Sequence, residues 1–476
     1  MTAKPKLLVI GLDGTPSNLL FKDLIESLPN VHKMMDNGLF ATLESCHPPM
    51  TLPAWMVMMT SKNAGKLGIY GMRHRKGFSY NEGWLSNSQS TKEPRVWDLL
   101  NKQGKKVCLI GVPPSYPPSE VVGSMISCFL TPRDKKDFTY PPDLAKEIEN
   151  LVGGNYLFDI RFRIDDREEV LEKIYEMTQK RFKVINHLLT REQWDYFMFV
   201  EVGTDRLHHV FWKYYDKTHL KYVPNNKYEN VIPEYYKYLD ERIGELLSII
   251  DDDTYVLLVS DHGTTSMKGA FCINEWLIEE GYLVLKKYPN SVTDLDKCEV
   301  DWDKTTAWGW GGYYARIFLN VKGRESKGKI EMKEFNQVRD KLKAKLGTIE
   351  GPRGEKFNNR VFYPEDLYNE CNGSKSDFIV YFDNLFWRSA GTIGHNTLYL
   401  SENDTGPDDS VHWMDGVFML YNKCKINRSS RGGGGSKLDK LSIYDVAPII
   451  LDIMQTKIPD DMEGKVIEEV RKWVHN

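Results

Sequence analysis

Short apolar runs alternate along the chain with longer stretches of helical character. The apolar runs occupy residues 6–14 (KLLVIGLDG), 105–113, 194–205 and 254–263. Continuous apolar runs of this length that end in Gly or Asp are typical of buried parallel strands. The helical stretches are 17–28, 93–104, 167–189 and 233–250. This alternation predicts an α/β fold with a mostly parallel central sheet and helices on both faces.

Residues 285–400 have a different pattern, with short aromatic strands such as GGYYARIFLN and DFIVYFD, a lysine-rich helix and many turn residues. We predict that they form an inserted cap subdomain over the sheet edge. The core would then consist of residues 1–284 and 401–476. The low-complexity segment 427–440 (NRSSRGGGGSKLDK) is predicted to be a mobile loop, and its residues 431–437 resemble a designed linker.

Composition excludes several classes of protein. The 476 residues are 41% hydrophobic, which is enough for a large core, and the net charge of −4 gives no footprint for duplex nucleic acid or a basic membrane surface. The seven cysteines are scattered and form no C-x-x-C pair, which argues against a disulfide framework or a thiolate zinc site. No apolar run suits a membrane span or a signal peptide, so we expect a soluble cytoplasmic protein.

Three aspartates follow predicted strands: Asp13, Asp205 and Asp261. The carboxyl ends of parallel strands meet at one edge of a sheet, where ligands bind, so we expect these carboxylates to converge there. Asp261 is followed by His262, and a carboxylate beside an imidazole is an ordinary pair of zinc ligands. The alternative for each aspartate is a turn or helix-capping role.

Histidines extend this set of candidate ligands. Asp205 and His209 are four residues apart, so a helix beginning after the strand would place both on one face, where they can bind a single metal ion. The alternative is a helix cap and a surface histidine. His208 points away from that face and is expected behind the site or on the surface. Late in the chain, His412 is the candidate for the last ligand, and His395 competes for that role.

The candidates form two sets: Asp13, Asp261 and His262 for one ion, and Asp205, His209 and His412 for a second. Two divalent ions about 4 Å apart suit in-line displacement at phosphorus. Thr51, in HPPMTLPAW, is the candidate attacking group, because the flanking prolines restrict its backbone and metal coordination would activate its hydroxyl. The alternative is a plain proline-rich loop. Mixed Asp and His ligands favour Zn²⁺, with Mn²⁺ or Fe also compatible.

The order of these motifs resembles a known family. Asp-Gly after the first strand, T-x-P, G-T-D-x-x-x-H, S-D-H-G and a late His before Asp-Gly are similar to the alkaline phosphatase superfamily. Within it, the segment PPMTLPAWMVMMTSKNAGKLGIYGM (48–72) looks like the nucleophile segment of the type I phosphodiesterase/nucleotide pyrophosphatase family. The resemblance departs at Thr60-Ser61 and at Leu67-Gly68-Ile69, where the family commonly has Thr-Gly and His-Gly-Ile.

The resemblance implies an alkaline-phosphatase-like core, two zinc ions and a phospho-threonine intermediate on Thr51. It places Thr51 with Asp13, Asp261 and His262 around one metal. The implied activity is metal-dependent hydrolysis of a small-molecule phosphodiester. The alternatives are a phosphotransferase acting on a sugar or lipid hydroxyl and a binding protein without catalysis. Asn63 is a candidate for contact with the substrate phosphate. Arg206 and Lys66 are further candidates, and the equal alternative for both is a surface charge.

Overall fold

The central feature of the fold is one large sheet. The computed structural model describes residues 4–426 and 435–475, so most of the predicted loop at 427–440 lies outside the described residues. Of that segment, Ser436–Lys437 pairs with a strand of the large sheet. Within the described residues, no helix combines the length and apolar character needed to cross a membrane.

The strands are as follows, in chain order: β1 Leu7–Leu12, β2 Leu39–Glu44, β3 Arg73–Arg75, β4 Gly83–Leu85, β5 Val107–Ile110, β6 Gly123–Ile126, β7 Thr139–Tyr140, β8 Tyr196–Glu201, β9 Tyr255–Val259, β10 Gly263–Ser266, β11 Gly269–Cys272, β12 Ala307–Trp310, β13 Ala315–Leu319, β14 Arg360–Phe362, β15 Phe378–Tyr381, β16 Trp387–Ala390, β17 Tyr399–Leu400, β18 Ser410–Trp413, β19 Asp415–Asn422, β20 Ser436–Lys437 and β21 Leu441–Ser442.

The α-helices are as follows: α1 Pro29–Asp36, α2 Thr51–Thr60, α3 Ala64–Leu67, α4 Val96–Lys102, α5 Leu144–Val152, α6 Arg167–Arg191, α7 Gly203–Tyr215, α8 Val231–Ile249, α9 Ile273–Glu279, α10 Phe335–Gly347, α11 Pro364–Leu367, α12 Lys423–Ile426, α13 Val446–Ile453 and α14 Glu468–His475. The helix predicted at 17–28 is instead a π-helical turn, Leu19–Asp23, followed by a 3₁₀ turn, Ile25–Ser27. Its wide turn still buries the apolar side chains that produced the helical pattern.

The large sheet has the strand order β20-β2-β19-β9-β1-β8-β5-β6-β7, and β21 also pairs with β2. The strand β1 lies in the middle and runs parallel to both neighbours, β8 and β9. The strand β19 is antiparallel to β2 and β9, and β7 is antiparallel to β6. The predicted mostly parallel sheet is therefore confirmed, with antiparallel strands that the apolar pattern did not reveal.

Helices cover both faces of this sheet, as the sequence predicted. Alternate residues of β1 enter different cores: Leu8 and Ile10 pack with α1 and with α5 to α8, whereas Leu7 and Val9 pack with α2, α4, α13 and α14. A strand that is apolar on both sides reads as a continuous apolar run. The carboxyl edge between these two cores holds the candidate residues.

A third apolar cluster lies beside the core. Its sheet is antiparallel, in the order β12-β13-β15-β14, and its buried aromatic residues include Trp308 and Phe318. The cluster also contains Phe271 of β11, which pairs with β16 and β17. Packing of this cluster thus begins before residue 285, and the division of the chain into 1–284, 285–400 and 401–476 stays a prediction.

A buried ion pair fixes the junction between β8 and α7. Glu201, the last residue of β8, accepts a 2.7 Å hydrogen bond from Arg181 Nη1 of α6 and another of 2.7 Å from the backbone N–H of Gly203. Both charged side chains are excluded from solvent. The ion pair between Arg181 and Glu201 thus fixes the start of α7. Because α7 carries Asp205 and His209, it also fixes where those two side chains lie.

Replacing Arg181 by Met is expected to lower the free energy of unfolding by about 3–5 kcal/mol, because it leaves the Glu201 carboxylate buried without compensation. Urea denaturation measures the change. The matched control is Arg191→Met on the same helix, whose partner Glu147 lies 2.6 Å away and whose side chain is 46% exposed. That substitution should cost no more than about 1 kcal/mol. Equal losses in the two variants would contradict the assigned importance of the buried pair.

Candidate metal centre

The carboxyl edge of the sheet brings the predicted ligands together. Asp13 follows β1, and Asp261 and His262 follow β9. Asp205 lies in the first turn of α7 and His209 one turn later. His412 lies on β18, which pairs antiparallel with β10 and thereby places His412 opposite Thr264, two residues after His262. All six side chains are buried.

Asp13, Asp261 and His262 form the first group, with one ligand atom from each within 4.8 Å of the others. His262 Nε2 lies 3.2 Å from Asp261 Oδ2 and 3.9 Å from Asp13 Oδ1. The second oxygen of each carboxylate is anchored: Trp55 Nε1–H donates to Asp13 Oδ2 at 2.8 Å, and the N–H of Gly14 donates to Asp261 Oδ1 at 3.1 Å. The free oxygen of each carboxylate therefore faces His262.

The second group consists of Asp205, His262 and His412, again within 4.8 Å. Asp205 Oδ1 lies 3.5 Å from His412 Nε2 and 3.3 Å from His209 Nε2. The rings of His262 and His412 stack at 3.7 Å. His209 thus lies against Asp205, as the four-residue spacing predicts, but His262 rather than His209 completes this compact group. The six candidate ligands form one continuous cluster.

Hydrogen bonds at Nδ1 orient the imidazoles. His262 Nδ1 donates to the carbonyl of Gly263 at 2.9 Å, and His412 Nδ1 donates to the carbonyl of Pro49 at 3.1 Å. A carbonyl only accepts, so the proton of each neutral ring is on Nδ1, and Nε2 presents its lone pair to the cluster. His209 Nδ1 donates to Asp408 Oδ1 at 2.7 Å, the carboxylate–histidine arrangement common around metal sites.

The electrostatics of the cluster favour bound cations. Burial and the neighbouring Asp205 charge raise the pKa of Asp13 to about 8, and burial and Asp13 raise the pKa of Asp261. Burial lowers the pKa of His412 to about 4, so its ring is neutral near pH 7. Four buried atoms of this cluster lack any hydrogen-bond partner among the described residues: Asp13 Oδ1, Asp205 Oδ1, Asp261 Oδ2 and His412 Nε2. Unpaired carboxylate oxygens and imidazole lone pairs suit a divalent cation such as Zn²⁺.

Thr51 lies beside the first group. It is the first residue of α2, and its Oγ1 lies 3.4 Å from His262 Nε2. Its side chain also lines a cavity of about 650 Å³. Asp205 and His412 of the cluster line this cavity together with Trp310 and Tyr313, and the ring of Tyr313 stacks on that of His412 at 3.7 Å. A space of this size accommodates a small molecule.

Two candidates for substrate contact lie away from this cavity. Asn63 Oδ1 accepts from the N–H of Lys66 and caps α3, while its Nδ2 donates to Glu463 at 2.8 Å. Lys66 Nζ contacts Asp461 at 3.3 Å. Neither side chain lines the cavity. Both side chains are engaged in contacts within the protein. Their positions therefore do not support the prediction that they contact substrate.

The remaining candidates divide differently. Arg206 lines the cavity, but its guanidinium is held by Asp159 at 2.8 Å and by Asp205. His208 is buried and hydrogen-bonded to Thr264 and Tyr236, so the surface alternative for it is wrong. His395 bonds Thr392 at 2.7 Å and belongs to neither group of candidate ligands.

Two neighbours of His209 escaped the sequence analysis. Asp408 orients its Nδ1, and the Tyr313 hydroxyl lies 2.9 Å from its Nε2. Asp408 stands four residues before His412 in the acidic stretch DDSVH, which is a usable signal. Tyr313 lies in a run of aromatic residues that also packs the cap, so the sequence alone does not distinguish it.

A family model described as Type I phosphodiesterase / nucleotide pyrophosphatase matches residues 7–408. The chain belongs to this family. The match includes five of the six candidate ligands and ends before the sixth, His412. The five are Asp13, Asp205, His209, Asp261 and His262. The fold of this chain is similar to that of a solved structure, human ectonucleotide pyrophosphatase/phosphodiesterase 5, with a TM-score of 0.57 and 14% sequence identity. The comparison covers 99% of this chain and 100% of that chain. No curated protein sequence matches the chain.

The Trp55 indole provides a test of how the cluster is held. We expect Trp55→Phe to weaken Zn²⁺ affinity about 10- to 100-fold, because Asp13 loses the donor that orients its carboxylate. Chelator competition measures the affinity. Trp97→Phe is the matched control, since Trp97 is buried in the same core and its Nε1 has no hydrogen-bond partner among the described residues. A Zn²⁺ affinity that falls equally in both variants would show that packing, not the hydrogen bond, is responsible.

Asp261→Asn is expected to have opposite effects with and without metal. In EDTA-treated protein it should raise the thermal unfolding temperature, because it removes one of three closely packed acidic groups while preserving the bond from Gly14. In metal-saturated protein it should lower that temperature, because a ligand is lost. Thermal unfolding followed by circular dichroism gives both values. A shift of the same sign in both states would contradict the assignment of Asp261 to the metal centre.

Proposed function

We propose that the protein is a metal-dependent phosphodiesterase that acts through a phospho-threonine intermediate on Thr51. The observation that carries this proposal is the position of the Thr51 hydroxyl, 3.4 Å from His262 Nε2, between a buried carboxylate–imidazole cluster and a cavity. Membership of the type I phosphodiesterase family supports the same chemistry.

We propose that the cluster binds two divalent cations, with Zn²⁺ favoured over Mn²⁺ or Fe. Asp13, Asp261 and His262 would hold one of them beside Thr51, and Asp205, His209 and His412 would hold the other. When bound, such cations stabilise charge on phosphoryl oxygens and lower the pKa of a coordinated hydroxyl. His262 lies within reach of both groups, which supports a shared centre rather than two separate sites.

The reaction has two steps. Thr51 Oγ forms a bond to phosphorus while the bond from phosphorus to the leaving oxygen breaks; the threonine loses its hydroxyl proton and the leaving alcohol gains one. Water then attacks phosphorus, breaks the bond to Oγ and restores the threonine hydroxyl. The products of a diester are an alcohol and a phosphate monoester, so atoms and charge balance without any further reactant.

The protein contributes position to both steps. Thr51 begins α2, a helix buried along its whole length, so its hydroxyl is fixed with respect to the cluster. The first amides of a helix have no intrahelical acceptor, and the helix dipole favours an anion at that end. Pro53 lacks an N–H, which leaves Thr51 and Leu52 to offer theirs to a phosphate in the cavity.

Thr51→Ala is expected to reduce hydrolysis of bis-p-nitrophenyl phosphate by at least about 10³-fold, because it removes the attacking atom. Metal content, measured by mass spectrometry, should stay at the wild-type level, since the other six proposed ligands are intact. Thr51→Ser is the matched control and should retain part of the activity. A wild-type reaction quenched in acid should yield Thr51 carrying a p-nitrophenyl phosphoryl group, because the second alcohol of the diester stays on phosphorus in the covalent intermediate. Full turnover by the alanine variant would exclude the mechanism.

A further inference from the structure

Five arginines line the cavity, and they differ in how their charges are neutralised: Arg73, Arg163, Arg206, Arg316 and Arg388. Arg163 and Arg388 donate to Asp408 Oδ2 at 2.9 Å and 2.7 Å. Arg206 donates to Asp159 at 2.8 Å. These three guanidiniums serve carboxylates of the protein itself. The other two have no carboxylate within ion-pair distance among the described residues.

Arg316 is the unusual member of this set. Its side chain lies on β13, and the residue is only 7% exposed, yet the described residues provide it with no hydrogen bond or ion pair. Its one aromatic contact is with the ring of Trp310, 5.1 Å from the guanidinium carbon. Burial lowers the pKa of Arg316, and the Arg73 charge lowers it further. None of its nitrogens is among the fully buried unpartnered atoms, so the guanidinium opens into the cavity that Arg316 lines, where its charge is available to an anion.

The guanidinium of Arg316 lies close to the nucleophile segment. A Cβ built on Gly71 would lie 3.8 Å from Arg316 Cζ and 3.6 Å from the sulfur of Met50, the residue before Thr51. Both Arg316 and Thr51 line the same cavity. A small molecule whose phosphorus lies at Thr51 is therefore long enough to reach Arg316.

Arg73 adds a second unpaired charge. It lies on β3 at the exposed rim of the cavity, and its charge acts on Arg316. Of the other acidic residues of the cavity, Asp294 pairs with Lys297 at 2.7 Å, and Asp404 accepts from the N–H of Gly391 at 3.0 Å. Asp296 is exposed and forms no ion pair with either arginine. Two like charges without an internal counterion repel each other, and an anion between them removes that repulsion.

We propose that Arg316 and Arg73 form a second anion subsite, which binds a phosphate group carried by the leaving group of the substrate. Guanidinium groups match phosphate oxygens with paired hydrogen bonds, which makes phosphate the natural occupant. The assignment of the reacting phosphorus to Thr51 rests on the proposed function. The subsite narrows the substrate class to phosphoanhydrides and diesters whose leaving group bears its own phosphate.

Two substrates with the same reacting half test this subsite. Thymidine 5′-triphosphate releases anionic pyrophosphate, whereas p-nitrophenyl thymidine 5′-monophosphate releases an unphosphorylated phenol. We expect Arg316→Gln to lower kcat/KM for the triphosphate about 10- to 100-fold and for the phenyl ester less than about 3-fold. Arg360→Gln is the matched control, because Arg360 lies on β14 of the same sheet but does not line the cavity. It should change neither value.

The outcomes separate the two proposals. Equal losses for both substrates, or none, would overturn the subsite while the phosphodiesterase assignment stands. Wild-type turnover of the phenyl ester without turnover of the triphosphate would do the same. If wild-type protein hydrolyses neither but does hydrolyse bis-p-nitrophenyl phosphate, the proposed function stands and direct binding decides the subsite. If it hydrolyses none of the three, the proposed function fails.

Direct binding uses inorganic pyrophosphate and EDTA-treated full-length protein in a calorimetric titration. Wild-type protein should bind it, Arg316→Gln should weaken the affinity at least 10-fold, and Arg360→Gln should have no effect. Arg73→Gln, at an exposed position, should weaken it several-fold and carries the test if Arg316→Gln fails to fold. Absence of binding to wild-type protein, or unchanged affinity in both cavity variants, would refute the subsite.

Discussion

Repulsion among three buried carboxylates is the constraint on which the candidate site depends. Asp13, Asp205 and Asp261 lie where neighbouring strands end, and burial prevents water from screening them. Hydrogen bonds from Trp55 and Gly14 hold one oxygen of two of these carboxylates and leave the other unpaired. Arg206 neutralises Asp205, whereas no Lys or Arg of the described residues pairs with Asp13 or Asp261. Burial lowers the pKa of His262 and of His412, so these rings supply lone pairs but no charge, and the cluster suits bound cations.

The parts of the site that the sequence predicts are those set by local patterns, namely the ends of apolar runs and the spacing along a helix. Each aspartate ends an apolar run, and parallel topology alone brings such ends together. The spacing of Asp205 and His209 needs only the periodicity of a helix. His412 was harder, because it reaches the cluster on β18, whose pairing with β10 is a long-range antiparallel contact. The sharing of His262 between the two groups also depends on that pairing, since it brings the His412 ring onto the His262 ring.

The sequence does not show which charged side chains are paired with distant residues and which are left unpaired. Arg316 lies in YYARIFLN, a run that fits a strand of the cap, and nothing local shows that its charge is unpaired. Asn63 and Lys66 looked suitable for phosphate, but Glu463 and Asp461, about four hundred residues away in the chain, occupy them. Even the apolar pattern of 17–28 fitted an α-helix, whereas packing selects a wider turn there.

The pairing of the cavity arginines separates two roles that their number alone conceals. Arg163 and Arg388 neutralise Asp408, which in turn orients His209, so their charge helps to position a candidate metal ligand. Arg316 comes from the cap sheet and serves no carboxylate of the protein. The six candidate ligands therefore come from residues 1–284 and 401–476, whereas the two unpaired arginines of the cavity come from β13 and from β3. Because β13 contributes none of the six candidate ligands, the proposed subsite implies that a change at Arg316 alters which leaving group is bound without disturbing the cluster.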